Sequence, residues 1–251
     1  MTQSALQRKV AAHAALWGIL ALVAGCAGSQ DVPTADSPDP LEGVNRAMHG
    51  LNKGLDTVAI KPGSDAYVAV VPSRARSGIS NVATNLLQPV YAANHLLQGD
   101  IEDAGTTVMR FGFNTLFGLG GLLDPASEAG MYDNPSDFGE TLAVWGVGSG
   151  PYVELPVFGP STVRDSLGLA VDIYADPVPR VLGNDSWPYV VGIRVADLLQ
   201  ERNEMARVIE ALYYESADSY SATRIAYLQN RAKTINDGAL ALEDLEDPYD
   251  F

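Results

Sequence analysis

The chain has 251 residues, of which 47% are hydrophobic and 19% charged, with a mean hydropathy of +0.02 and a formal net charge of −15. That length accommodates one substantial domain or two small ones. The acidic balance argues against nucleic acid, whose phosphates need a basic surface, and a single cysteine excludes an internal disulfide.

Arg8 and Lys9 precede an apolar run from Val10 to Gly25, the pattern of a secretory signal peptide. The run ends in "LVAGC", Leu22 to Cys26, which resembles the lipobox of bacterial lipoproteins. That resemblance implies cleavage before Cys26 and attachment of diacylglycerol to its sulfur. Acyl chains contribute about 0.8 kcal/mol per buried CH₂, so several chains anchor stably. Ala27, rather than an aspartate, follows the cysteine, and the sorting pattern of lipoproteins then implies the outer membrane. Residues 26–38 are small, polar and proline-bearing, and read as a lipidated flexible tether.

The domain expected over residues 39–236 reads as mostly helical. Leu41, Val44, Met48, Leu51, Leu55 and Val58 recur at spacings of three and four. This predicts one helix that buries an apolar stripe, started at Asp39–Pro40 and ended by Pro62–Gly63. Further starts are expected at Ser64 or Asp65 and at Pro72–Ser73, with Pro89 breaking or kinking the third helix and Gly99 stopping it. Asp100 is the expected cap of a helix running into "RFGFNTLFG".

From Gly118 to Pro160 glycine and proline recur every few residues. Only "SDFGETLAVWG", with Ser136 in a capping position, reads as a short helix there. The Gly/Pro-rich stretch around 146–160 is expected to be irregular or a short hairpin. A helix resumes at "STVRDSLGLAVDIYAD". A last stripe runs from Trp187 to Tyr220, with "QERNE" (Gln200 to Glu204) as its polar interruption and a break near Ser216–Asp218. Residues 237–251 are acidic and read as a disordered tail.

Catalytic and metal-binding signatures are missing. His49 and His95 fall on separate helices, and no His-x-x-x-His pair or Cys–His cluster suggests zinc, so no metal or other cofactor is expected. Both histidines read as surface or packing residues. "GLGGLL" lacks the lysine of a Walker loop and the spacing of a dinucleotide fingerprint, and follows a helix rather than a strand. A lipid hydrolase using Ser149 or Ser161 is the weakest reading, since neither sits in a nucleophile elbow.

Five phrases in order after the lipobox resemble the MlaA (VacJ) family of outer-membrane lipoproteins. They are "DPLEGVNRAMHGLN" (39–52), "NHLLQGD" (94–100), "RFGFNTLFGLGGLLD" (110–124), "DFGETLAVWGVGSGPYVELPVFGPSTVRD" (137–165) and "DPVPR" (176–180). The resemblance implies a mostly helical, ring-like single domain lying in the periplasmic leaflet of the outer membrane. It also implies removal of mislocalised phospholipid from the outer leaflet through an amphipathic channel. The lipid then passes to a soluble periplasmic carrier, beside a trimeric porin, and outer-membrane lipid asymmetry is maintained. The alternative is a structural envelope lipoprotein that binds porin or peptidoglycan without moving lipid. Neither reading is enzymatic, and neither needs a cofactor. Membrane association is expected through the lipid anchor and apolar helices.

Phe111, Phe113, Leu116, Phe117, Gly118, Leu119, Gly120, Gly121 and Leu122 are the expected lipid-contacting or channel-forming residues. Arg110 and Arg164 are headgroup candidates because guanidinium suits phosphate, with an ion pair to Asp165 the competing role for Arg164. The glycines are expected to bend the chain at a lipid-facing mouth, so that valine at Gly120 and Gly121 disturbs transport more than fold.

Overall fold

The computed structural model describes residues 38–235. Cys26, the signal peptide, most of the tether and the acidic tail lie outside them. The first element is α1 (Glu42–Leu55), which continues through a π-helical turn (Asp56–Ile60) into α2 (Lys61–Val70). Pro62 and Gly63 therefore do not end the helix. Pro62 is the second residue of α2, directly after the π turn, and the helical path continues through it. α3 (Ser73–Gln98) runs unbroken past Pro89 and stops at Gly99, whose φ of 85° is left-handed. α4 (Ile101–Phe117) starts at Asp100, whose side chain accepts from Asp103 N–H.

α5 (Pro125–Glu128) and α6 (Phe138–Val144) occupy the glycine-rich region. The cap of α6 is Asp137, not Ser136: Asp137 and Glu140 form a reciprocal capping box, and the Ser136 hydroxyl instead donates to Glu140. The stretch around 146–160 forms an antiparallel hairpin, β1 (Tyr152–Leu155) with β2 (Gly159–Thr162), Tyr152 opposite Thr162. Then follow α7 (Val163–Ala175), α8 (Val178–Leu182) and α9 (Trp187–Glu204). The last long stripe breaks twice. It breaks first at Met205, before α10 (Ala206–Glu210) and a second π turn (Ala211–Glu215), and again at Ser216–Asp218, before α11 (Ser219–Ile235).

Neighbouring elements close a circuit. α1 packs on β1, β2 on α11, α11 on α6, α6 on α3, α3 on α9 and α9 on α2, which leads back to α1. This is the ring-like, mostly α single domain read from the sequence.

Its polarity is inverted. Among the described residues, twice as many polar or charged side chains are buried as hydrophobic ones, and the buried apolar residues include five alanines. α1 shows this directly. Val44, Leu51 and Val58 are exposed, while Asn45, His49, Asn52 and Asp56 are buried. The apolar stripe was expected to face a core; it faces out, and the polar stripe at the same helical spacing faces in. Large exposed apolar surface is the unusual observation that calls for a partner.

The polar stripe has a structural use. Asn45 donates to the Tyr152 carbonyl (3.0 Å) and accepts from Glu154 N–H (2.9 Å). Asn52 donates to the Leu155 carbonyl (2.9 Å) and accepts from Val157 N–H (2.8 Å). Each carboxamide thus stands in for a peptide group and completes the outer edge of β1. Seven residues of helix and three of strand both span roughly 10 Å, which explains the Asn45–Asn52 interval.

Candidate functional site

The largest cavity described is about 560 Å³. It lies between the end of α1, the hairpin tip, the inner face of α9, the α10 region and α11. Leu55, Ile60, Leu198, Val208, Ile209 and Leu212 supply an apolar wall, and Asn52, Asp56, Glu201, Arg202 and Asn230 a polar one. Such a lining suits a ligand with a greasy part and a wet part.

The polar wall is fixed by ion pairing. Arg202 donates to both oxygens of Asp56 (3.1 and 3.0 Å) and to Glu210 (3.1 Å), and the Tyr214 hydroxyl donates to Asp56 (2.8 Å). Burial pushes the Asp56 carboxyl up, but the hydrogen bonds from Arg202 and Tyr214 outweigh it, so the group lies below its ordinary value. Tyr213, also in the lining, is pushed up to about 12, chiefly by burial, with Glu154 and Asp56 nearby. Glu201 is raised as well, by burial and by Asp197 and Glu204 beside it.

The hairpin tip is strained. Val157, a β-branched residue, has φ 72°, a conformation such residues rarely adopt. The bond from its N–H to Asn52 holds it there, and both Val157 and Phe158 remain exposed at the cavity. Strain of this kind persists only where surroundings impose it.

The residues singled out from the sequence lie elsewhere, and none of them lines this cavity. Leu116, Phe117, Leu119 and Leu122 are exposed, forming an apolar patch at the end of α4 with Phe113 half-buried against Phe117 (ring centroids 4.8 Å). Phe111 is half-buried. Arg110 is only 3% exposed and donates to the Ser127 hydroxyl (3.0 Å), the Met131 carbonyl and Asp124 (3.3 Å). Arg164 is buried and paired with Asp165 (3.0 Å). Both arginines thus spend donors on the fold.

The glycines have separate duties. Gly118 has no room for a Cβ, which would come within 2.4 Å of the Asn114 and Leu123 carbonyl oxygens. Gly121 combines φ 93° with an α-carbon set against Asn85, where a Cβ would approach to 2.7 Å. Gly120 needs only its φ of 74°. Gly121→Val is therefore expected to cost roughly 2–4 kcal/mol and Gly120→Val about 1 kcal/mol, measured by thermal unfolding of the two single variants. At Gly121 the first consequence of valine is on the fold.

Both histidines are buried, so neither is a surface residue. His49 bonds the Ser219 hydroxyl (3.0 Å) and places Nδ1 3.5 Å from Glu154. His95 meets the Asn134 carbonyl (3.1 Å) and, with Asp100 and Asp103, brings possible ligand atoms within 4.8 Å of one another. Those acids are already engaged: Asp100 caps α4 and Asp103 accepts from Asn134 (2.7 Å). The Ser149 and Ser161 hydroxyls donate to the carbonyls of Gly150 and Thr162.

No described helix is long and apolar enough to cross a membrane. Embedding through apolar helices is therefore not supported; α1 and α4 instead carry exposed apolar residues such as Val44, Leu51, Val108, Met109 and Leu116. These features define an inverted helical body with an amphipathic cavity, a class suited to handling lipid at a membrane surface. The chain belongs to the MlaA lipoprotein family, whose model matches residues 37–234. The intermembrane phospholipid transport system lipoprotein MlaA of Shigella flexneri is 38% identical over 87% of this chain and 86% of its own. The Haemophilus influenzae protein of the same name is 34% identical, covering 90% of each chain. A solved structure concerned with maintenance of bacterial outer membrane lipid asymmetry superposes with a TM-score of 0.69 at 35% identity, covering 79% of this chain and all of that one.

Proposed function

We propose that this protein carries phospholipid out of the outer leaflet of the outer membrane through the 560 Å³ amphipathic cavity and so maintains lipid asymmetry. The inverted polarity carries the reading. Exposed apolar faces such as Val44, Val58, Leu116, Phe117 and Leu119 suit acyl chains of the surrounding leaflet, while the interior keeps a polar wall for a headgroup. Transport along such a path needs no nucleophile and no covalent step. The family resemblance adds the periplasmic leaflet as the setting, acylated Cys26 as the anchor, a trimeric porin as neighbour and a soluble periplasmic carrier as acceptor.

Deleting the gene is expected to raise outer-leaflet phospholipid and detergent sensitivity, and a plasmid copy to reverse both. Unchanged surface phospholipid would end the transport reading. In the same strain, Cys26→Ala is expected to shift the protein from the membrane to the soluble fraction.

A further inference from the structure

A second cavity, of about 140 Å³, lies between α3 and α4, with Asp124 and Asp133 completing its wall. Its lining is wholly polar: Asn81, Thr84, Asn85 and Gln88 from α3, with Arg110, Asn114, Asp124 and Asp133 facing them. The volume has room for roughly four waters.

Three buried atoms in this lining lack a hydrogen-bond partner: Asn85 Oδ1, Gln88 Oε1 and Arg110 Nε. The three residues are 3%, 1% and 3% exposed. Native folds rarely leave buried polar atoms unpaired, so each calls for a partner. The Gln88 orientation is fixed, because its Nε2 donates to the Asp133 carboxylate (2.6 Å) and its oxygen is left as an acceptor. Asp124 is committed, accepting from Asn114, Ser127 and Arg110. Asp133 takes only the Gln88 bond among the hydrogen bonds described, and its side chain is 32% exposed, which leaves an opening. The lining holds two carboxylates against one guanidinium.

The unmet capacity is thus two amide oxygens, one carboxylate with room to accept, and one excess negative charge. A primary ammonium carries one positive charge and three N–H donors, and answers all of it. A quaternary ammonium offers no N–H and is recognised by aromatic faces, of which this lining has none. A divalent ion would overcompensate the charge beside Arg110. Arg110 Nε, in ion-pair range of Asp133 at 3.9 Å but without a hydrogen-bond partner, is a donor for an anionic group next to that ammonium. The glycine loop touches two of the lining residues: the Leu122 carbonyl accepts from Asn81 (3.3 Å) and Gly121 rests on Asn85, while Leu119 is exposed and the Leu122 side chain lies against Gly78 of α3.

We propose that this cavity is a headgroup subsite for the primary ammonium of an ethanolamine phospholipid, with its acyl chains along the apolar loop. The inference rests on the phospholipid reading and adds a headgroup selectivity to it. Asn85 Oδ1, Gln88 Oε1 and Asp133 take the ammonium, and Arg110 Nε faces the phosphate.

The test uses the full-length lipoprotein in detergent, equilibrated with equimolar phosphatidylethanolamine, phosphatidylglycerol and phosphatidylcholine, with retained lipids quantified by mass spectrometry. Phosphatidylethanolamine is expected to be enriched about tenfold over each of the others, the scale of one charge-assisted hydrogen-bond set. Asp133→Asn and Gln88→Met are each expected to lower that enrichment in protein that still unfolds in a single cooperative transition, at a lower midpoint for Gln88→Met, which removes the bond to Asp133. Free ethanolamine is expected to compete in the unmodified protein, so the assignment does not depend on a variant folding. Equal retention of the three lipids, or enrichment that survives both substitutions, would overturn the subsite while leaving lipid transport standing. Retention of no lipid would count against transport itself. Thermal stabilisation by potassium chloride with no headgroup preference would show an inorganic cation site and overturn the lipid assignment.

Discussion

Arg202→Ala is expected to lower stability by about 3–5 kcal/mol, one of the largest effects of any single substitution in this fold. Arg202 and Asp56 are 5% and 7% exposed at their side chains, and the pair joins α9 to the π turn that ends α1. Removing the guanidinium leaves a buried carboxylate whose remaining bond described here is from the Tyr214 hydroxyl. The cost comes from that stranded charge more than from the lost attraction, so the double variant Asp56→Leu/Arg202→Leu is expected to recover part of it. The pH dependence has a defined sign. Asp56 is depressed below its ordinary value of 3.8, so its contribution is present above that pH and lost as pH falls through the folded-state value. Denaturant unfolding followed from neutral pH to well below pH 3.8 is expected to show this acid-side loss in the unmodified protein and a smaller one in Arg202→Ala. A loss under about 1 kcal/mol in Arg202→Ala would mean that water reaches the Asp56 carboxylate as it does at a surface pair.

Val208→Trp is expected to have the largest functional effect. Val208 lines the 560 Å³ cavity and is 51% exposed, so an indole at this position fills open space rather than a packed core. Outer-leaflet phospholipid is expected to rise to near the level of the gene deletion, with the protein present at normal abundance. Val58→Trp is the control, since Val58 lies on the π turn that follows α1, is 78% exposed and does not line the cavity. It is expected to leave surface phospholipid unchanged. A Val208→Trp strain with normal asymmetry would remove the cavity from the transport path.

The helical periods, the Asp100 cap, the hairpin and the break at Ser216–Asp218 were legible in the sequence because each depends on local spacing or turn chemistry. Polarity was misread at α1. A stripe of Leu and Val at helical spacing looks the same whether it faces a core or a lipid leaflet, and only its partner decides. The opposite stripe, Asn45–His49–Asn52–Asp56, carried the signal, since four polar residues on one face otherwise mean solvent. Here two of them replace peptide groups along β1. The cavity could not be read in the same way, because Asn52, Phe158, Arg202 and Tyr227 meet only when the ring closes. Sequence reasoning placed the site on the glycine loop for its composition. Gly118 and Gly121 are fixed there by close packing, and the loop contacts Asn81 and Asn85 of α3, which line a polar cavity.

The central claim is that phospholipid occupies the larger cavity. A photo-reactive residue at Leu212, inside it, and another at Phe117, on the exposed patch, allow a direct comparison in living cells. Phospholipid is expected to be captured from Leu212, and that capture to fall when Val208→Trp is added. Capture of phospholipid from Phe117 with none from Leu212 would contradict it, placing lipid on the outside of the ring alone.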